Sequence, residues 1–182
     1  GDTIGTAQPV YEGYCLPHAL VTLDVAGRDL TNYLRDLLEE SGCSLRSESD
    51  AQSMLRTIKE TLCFVALDFN KELTEGTKGE ALFEMPNGGV ITLNDQRFRC
   101  PEALFQPGLI RKSKCTIGVV ECLSRSVRKC DLDLQSEIKG KTVLCGGCTL
   151  FPGFSDRLSK EFETMMDEQQ AGTSPFKPEM IA

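Results

Sequence analysis

Two cysteines three residues apart, in Cys145-Gly146-Gly147-Cys148, have the spacing of a zinc half-site or of a dithiol redox pair. Zinc needs two further ligands, and the chain holds one histidine, His18, and no second Cys-x-x-Cys. A redox pair should open a helix directly after a strand. Thr142 to Leu144 reads as that strand, but Thr149-Leu150-Phe151-Pro152-Gly153 follows, so two free thiols flanking a glycine turn is the simpler reading. The same glycines suit different chemistry. A glycine turn between strand and helix lets backbone N–H groups approach phosphate, and a helix N-terminus favours negative charge. Units of strand, glycine turn and helix recur near both ends, at Ala26-Gly27 and at Gly146-Gly147.

Positioning such turns is the task of the flanking elements. Pro9 to Gly13 and Val21 to Val25 read as two short strands around a turn containing Pro17. Leu30, Tyr33, Leu34, Leu37 and Leu38 form a helical stripe that ends near Ser41-Gly42. Ala51, Met54, Leu55, Ile58 and Leu62 share the face of a second helix, with N-cap candidates from Ser47 to Asp50. Lys71 to Glu80 reads as a polar loop. Leu82 to Pro86 and Val90 to Leu93 flank Asn87-Gly88-Gly89, a hairpin signal because Asn and Gly tolerate positive φ. Arg97 to Phe105 leads into a loop at Gln106-Pro107-Gly108. Helical patterns cover Val119 to Lys129, Leu132 to Ile138, and Phe154, Leu158, Phe162 and Met165. Thr142 to Cys145 reads as a buried strand, and Gln169 to Ala182 as linker. Mixed strands and helices of this order predict an α/β or α+β fold.

The 182 residues suit one domain or two small lobes, and 40% hydrophobic content is enough for an ordinary core. With 20 basic and 27 acidic side chains the net charge is −7, which disfavours a general binder of nucleic-acid backbone. No apolar run approaches the roughly 20 residues of a membrane span. Nine cysteines without framework spacing fit a reducing, intracellular compartment. The start at Gly1, directly inside a motif, suggests a piece of a longer chain.

Several stretches then converge. They are Tyr11 to Ala19, Leu23 to Thr31 (Leu-Asp-Val-Ala-Gly-Arg-Asp-Leu-Thr), Ile58 to Phe69 (Ile-Lys-Glu-Thr-Leu-Cys-Phe-Val-Ala-Leu-Asp-Phe), Arg97 to Pro107 (Arg-Phe-Arg-Cys-Pro-Glu-Ala-Leu-Phe-Gln-Pro), Lys129-Cys130-Asp131 and Val143 to Arg157. Together they resemble the actin family, in order and over nearly the whole chain, fading after Met166. The resemblance implies the second half of that fold: a ribonuclease-H-like α/β subdomain built from 1–26 and 103–182, carrying an inserted smaller helical subdomain at 27–102. It covers one lobe, a single wall of a nucleotide cleft, so apolar surface left open by the absent lobe implies marginal solubility.

The resemblance also implies ATP or ADP with Mg²⁺ as a structural and conformational cofactor. Gly1-Asp2-Thr3 matches the second phosphate loop, with Thr3 where the family usually has glycine. Gly27, Arg56, Lys59 and Glu60 match positions around adenine and ribose. Gly146, Gly147, Cys148, Leu150 and Phe151 match the turn beneath the nucleotide, where threonine, methionine and tyrosine are common at the last three. The family's water-ordering histidine falls on Thr6, and His18 matches a structural position. Threonine is no general base near neutral pH, so weak or absent hydrolysis is expected.

The loop Pro107 to Lys114 matches the apolar plug of the family's filament interface, yet its tip carries Arg111, Lys112 and Lys114. Residues 111 to 130 hold six basic side chains against one acidic, Glu121. Charges buried in an apolar interface cost several kcal/mol unless partnered, so conventional filament packing is doubtful and an acidic partner fits. The implied roles are a cytoplasmic, cytoskeletal protein working with other actin-family subunits or actin-binding proteins, or a non-polymerising scaffold subunit for which the nucleus is also possible. A redox role for Cys145 and Cys148 requires at least one thiol well below its ordinary pKa.

Overall fold

The computed structural model describes residues 1–43, 51–76, 80–85, 88–110, 117–167 and 178–181. The N-cap candidates Ser47 to Asp50, Asn87 of the hairpin turn, and Arg111, Lys112 and Lys114 lie outside the described residues.

The chain opens with β1 (Gly5–Ala7), β2 (Val10–Tyr11), β3 (Tyr14–Cys15), a 3-10 turn over Pro17–Ala19, and β4 (Val21–Leu23). Strands do form in both expected segments, but they are not each other's partners. β2 closes on β3 through Glu12-Gly13, both at positive φ, while β4 pairs antiparallel with β1, Gly5 opposite Leu23. α1 (Gly27–Glu40) buries the expected stripe Leu30, Tyr33, Leu34, Leu37 and Leu38. The Asp29 carboxylate accepts from the Ala26 amide at 3.0 Å and satisfies one of the donors at the entry to the helix. α2 (Ala51–Leu62) buries Met54, Leu55 and Ile58, and with them Lys59.

The polar segment from Lys71, expected as loop, is helical at its start: α3 (Phe69–Glu75) is capped by Asp68, whose side chain accepts from the Lys71 amide at 3.1 Å. It buries no residue, so it left no apolar stripe to read. The hairpin is present as β5 (Ala81–Glu84) and β6 (Val90–Leu93), antiparallel, with Ala81 opposite Leu93. α4 (Gln96–Glu102) forms despite Pro101. Proline at that position removes the donor that would have bonded the Arg97 carbonyl, and the amide of Phe64 takes that carbonyl instead at 3.1 Å.

After a 3-10 turn at Pro107–Leu109 come α5 (Val119–Arg128), α6 (Leu132–Gly140), β7 (Val143–Cys145), a 3-10 turn at Gly147–Leu150, α7 (Phe154–Asp167) and β8 (Glu179–Ile181). β7 was expected to be buried, yet Val143 is 51% exposed and Cys145 is exposed. The reason is its pairing. β7 has β8 on one side, in parallel, with Val143 opposite Glu179, and no strand paired on the other among the described residues. β8 corrects the expectation of linker for Glu179–Ile181, while 169–177 of that expected linker lie outside the described residues. One hydrophobic cluster runs through α1, α2, β4, β6, α5 and α7, with Leu30, Leu34, Leu55, Ile58, Leu93, Leu158 and Phe162 almost wholly enclosed.

Candidate functional site

The segment before β1 lies across the start of α1. The Gly27 amide donates to the Gly1 carbonyl at 3.2 Å and the Arg28 amide to the Asp2 carbonyl at 2.8 Å. The first amides of a helix have no partner inside it, and here two of them fasten Gly1-Asp2 in place. A Cβ at Gly27 would stand 3.5 Å from Asp2 Oδ1 and from the Gly1 carbonyl, so the two segments are in contact already. The Asp2 carboxylate reaches the Arg28 guanidinium at 3.1 Å, a pair with both side chains more than half exposed.

Lys59 comes to the same place from α2. Only 6% exposed, it donates from Nζ to the Gly27 carbonyl at 2.9 Å and to Thr31 Oγ1 at 3.0 Å. Thr31 in turn donates to the Gly27 carbonyl at 2.9 Å. A buried ammonium held by two neutral oxygens is a standing positive charge in a low-dielectric wall. On the far side, Gly146 turns the chain at φ 100°, a conformation that side chains rarely adopt, and brings the turn to Gly1: a Cβ there would lie 3.7 Å from the Gly1 nitrogen. Cys148 Sγ lies 3.9 Å from the Gly1 carbonyl. Burial pushes the Cys148 thiol up, with Lys59 pulling it down and Asp2 and Glu60 adding to the rise, which places all four groups in one neighbourhood. That direction is opposite to what a redox thiol needs.

Of the residues singled out from sequence, Gly1, Asp2, Gly27, Lys59, Glu60, Gly146 and Cys148 thus share one locality, and Thr3 and Gly147 are exposed beside it. Arg56 is exposed on α2, Leu150 is 48% exposed, and Phe151 is 6% exposed with its ring in the core cluster. Two members escaped sequence reasoning. Arg28 and Thr31 lie one and four residues after Gly27, so helical spacing could have flagged Thr31 as stacked on Gly27 one turn on. Thr6 is exposed on β1 opposite Thr22, and His18 is exposed in the 3-10 turn.

The arrangement suits an anion. The amides of Asp2 and Thr3 on one side and of Gly147 and Cys148 on the other have no hydrogen-bond partner among the described residues. Open amides, a buried ammonium and a carboxylate at the rim match the donor set of a phosphate chain with its metal. No cluster of three metal-ligating side chains occurs among the described residues, so a cation here would depend on phosphate oxygens and water beside the Asp2 carboxylate. Adjoining the turn is a cavity of about 930 Å³, lined by β1, β7 and apolar side chains such as Leu23, Val25, Leu104, Val127 and Phe154. No helix among the described residues is long and apolar enough to cross a membrane.

The fold is a mixed α/β one in which the segment Gly1-Asp2 and the turn at Gly146 meet beside the start of α1. A family model described as Actin matches residues 1–179, and the chain belongs to the actin family.

Proposed function

We propose that this actin-family protein binds ATP or ADP with Mg²⁺ at the cradle formed by Gly1, Asp2, Thr3, Gly146, Gly147 and Cys148, with the nucleoside toward Gly27, Arg56, Lys59 and Glu60 and toward Leu150 and Phe151. The observation that carries it is the pairing of open amides on two neighbouring segments with the buried Lys59 ammonium, which is held on the Gly27 carbonyl beside them. The amides donate to phosphate oxygens, the ammonium balances their charge, and the Glu60 carboxylate accepts from ribose hydroxyls. Mg²⁺ would supply charge neutralisation on the phosphates, and the Asp2 carboxylate, which pairs with Arg28 at 3.1 Å, is the side chain that would hold it there. Threonine at position 6 is no general base near neutral pH, so the nucleotide serves as a conformational cofactor and hydrolysis is weak or absent.

The same reading assigns 1–26 and 103–182 to a larger subdomain and 27–102 to a smaller one, and places the protein in the cytoplasm on actin-type filaments among actin-family or actin-binding partners. The second reading is a non-polymerising scaffold subunit, and the specific feature in its favour is the basic tip Arg111, Lys112 and Lys114, which fits an acidic partner. Titration of ATP and ADP with and without Mg²⁺ tests the first claim: saturable, Mg-dependent binding lost in E60A supports it, and no binding by the folded protein refutes it. Sedimentation with Mg-ATP then separates the roles, since a pelleting polymer supports the filament and a soluble protein that binds an acidic peptide supports the scaffold.

A further inference from the structure

Arg157, on the first turn of α7, is 7% exposed, and its guanidinium reaches three ways. Nη1 donates to the Ala66 carbonyl at 2.7 Å, Nη2 to Glu102 Oε1 at 3.2 Å, and Nε to Glu161 one turn along the same helix. The guanidinium carbon also sits 5.2 Å from the centroid of the Phe105 ring. Glu102 is fully enclosed; its Oε1 also accepts from Gln106 at 2.8 Å, and its Oε2 has no protein partner among the described residues. A buried ion pair of this kind seldom adds net stability over apolar packing, but breaking one partner away leaves an uncompensated charge. Its natural use is to fix a geometry.

The geometry in question leads to the candidate site. Ala66 lies just beyond the end of α2, which carries Lys59 and Glu60, and Glu102 ends α4. The same stretch is pinned a second time, because the Val65 amide donates to the Pro152 carbonyl at 2.8 Å. Gly153 stands at φ 83°, and a Cβ there would come within 2.4 Å of the Val65 carbonyl, so only glycine allows this approach. Pro152-Gly153 follows directly on the turn that holds Cys148, Leu150 and Phe151. One guanidinium therefore ties the exit of α2 and the end of α4 to the helix that begins where the glycine turn ends.

We infer that Arg157 is a positioning residue that sets the α2 wall, with Lys59 and Glu60, at its distance from the turn 146–151. In its second arm below, this inference rests on the nucleotide reading of the site; the first arm does not. Lysine at 157 keeps the charge but cannot reach Ala66, Glu102 and Glu161 together, and glutamine at 102 keeps the shape but removes the charge.

The first arm is alkylation of the folded protein, read cysteine by cysteine by mass spectrometry. Cys63 follows α2 three residues before Ala66 and Cys100 lies on α4 two residues before Glu102, at 3% and 0% exposure; Cys122 is buried on α5 at 2%, and Cys15 is exposed. With Cys15 as the reference, R157K and E102Q should raise labelling of Cys63 and Cys100 on the order of tenfold, as a local opening does, and leave Cys122 protected. Parallel labelling of Cys122, or no change in either variant, overturns the inference. The second arm is a double-mutant cycle on Mg-ATP affinity. If Arg157 acts through α2, R157K weakens binding in the parent protein but adds little to E60A; full additivity overturns the inference. Absence of nucleotide binding in the parent protein overturns the nucleotide reading instead, and the labelling result still decides the role of Arg157.

Discussion

At the scale of single residues, Lys59 separates binding from stability. Its ammonium bonds to the Gly27 carbonyl and Thr31 Oγ1, yet Thr31 already holds that carbonyl by itself. K59M keeps the apolar stem and removes the charge, so unfolding by urea should shift by no more than about 2 kcal/mol while nucleotide affinity falls roughly tenfold or more. Equal loss in both would make Lys59 a structural pin only. Glu102 gives a pH signature. Burial holds its carboxyl above the ordinary range, although Arg157 and its hydrogen bonds pull the other way. The folded protein therefore holds this proton more firmly than the unfolded chain. The contribution is complete below the ordinary carboxylate pKa and is lost as pH rises through the raised value. The unfolding free energy of the parent protein minus that of E102Q should thus fall with rising pH across that window, and a flat difference would contradict the assigned burial. Cofactor residues such as Gly1, Asp2 and Glu60 were legible only through family resemblance, because a short glycine segment and one carboxylate on a helix carry no distinctive spacing of their own.

At the scale of elements, legibility followed burial. α1, α2 and the β5–β6 hairpin each present an apolar face or a turn with a stated mechanism, and each was readable. α3 buries nothing, and α4 contains a proline whose vacated carbonyl is taken by Phe64, a contact 33 residues away in sequence. β8 finds its partner β7 across the whole of α7, which no local pattern announces. The turn into α7 supplies a sharp test. G153A places a methyl against the Val65 carbonyl at positive φ, and should cost at least ~1–3 kcal/mol from the backbone alone. Gly147, whose Cβ position meets nothing within 4 Å, should accept alanine with little change in melting. Equal tolerance at both positions would refute the close approach between the glycine turn and the α2 exit.

For the whole molecule, the single continuous core joins segments from both proposed subdomains, so the chain should melt as one unit and not as two. Calorimetry showing two separable transitions would contradict that. Its charge is uneven: −7 overall, but strongly basic from Arg111 to Lys129. Neutralising Arg111, Lys112 and Lys114 together should weaken capture of an acidic peptide and reduce its salt dependence, without altering nucleotide affinity. If capture is unchanged, the basic tip is not the contact. The central claim, that the neighbouring glycine turns and Lys59 form a nucleotide site, is tested most directly by the melting temperature of the longest natural form of the protein with and without millimolar Mg-ATP. A ligand that binds only the folded state raises stability by RT ln(1 + [L]/Kd), about 2.7 kcal/mol at a hundredfold excess over Kd. A clear upward shift, abolished in K59M, is the predicted result; an unchanged melting temperature in a protein that is otherwise folded would contradict it.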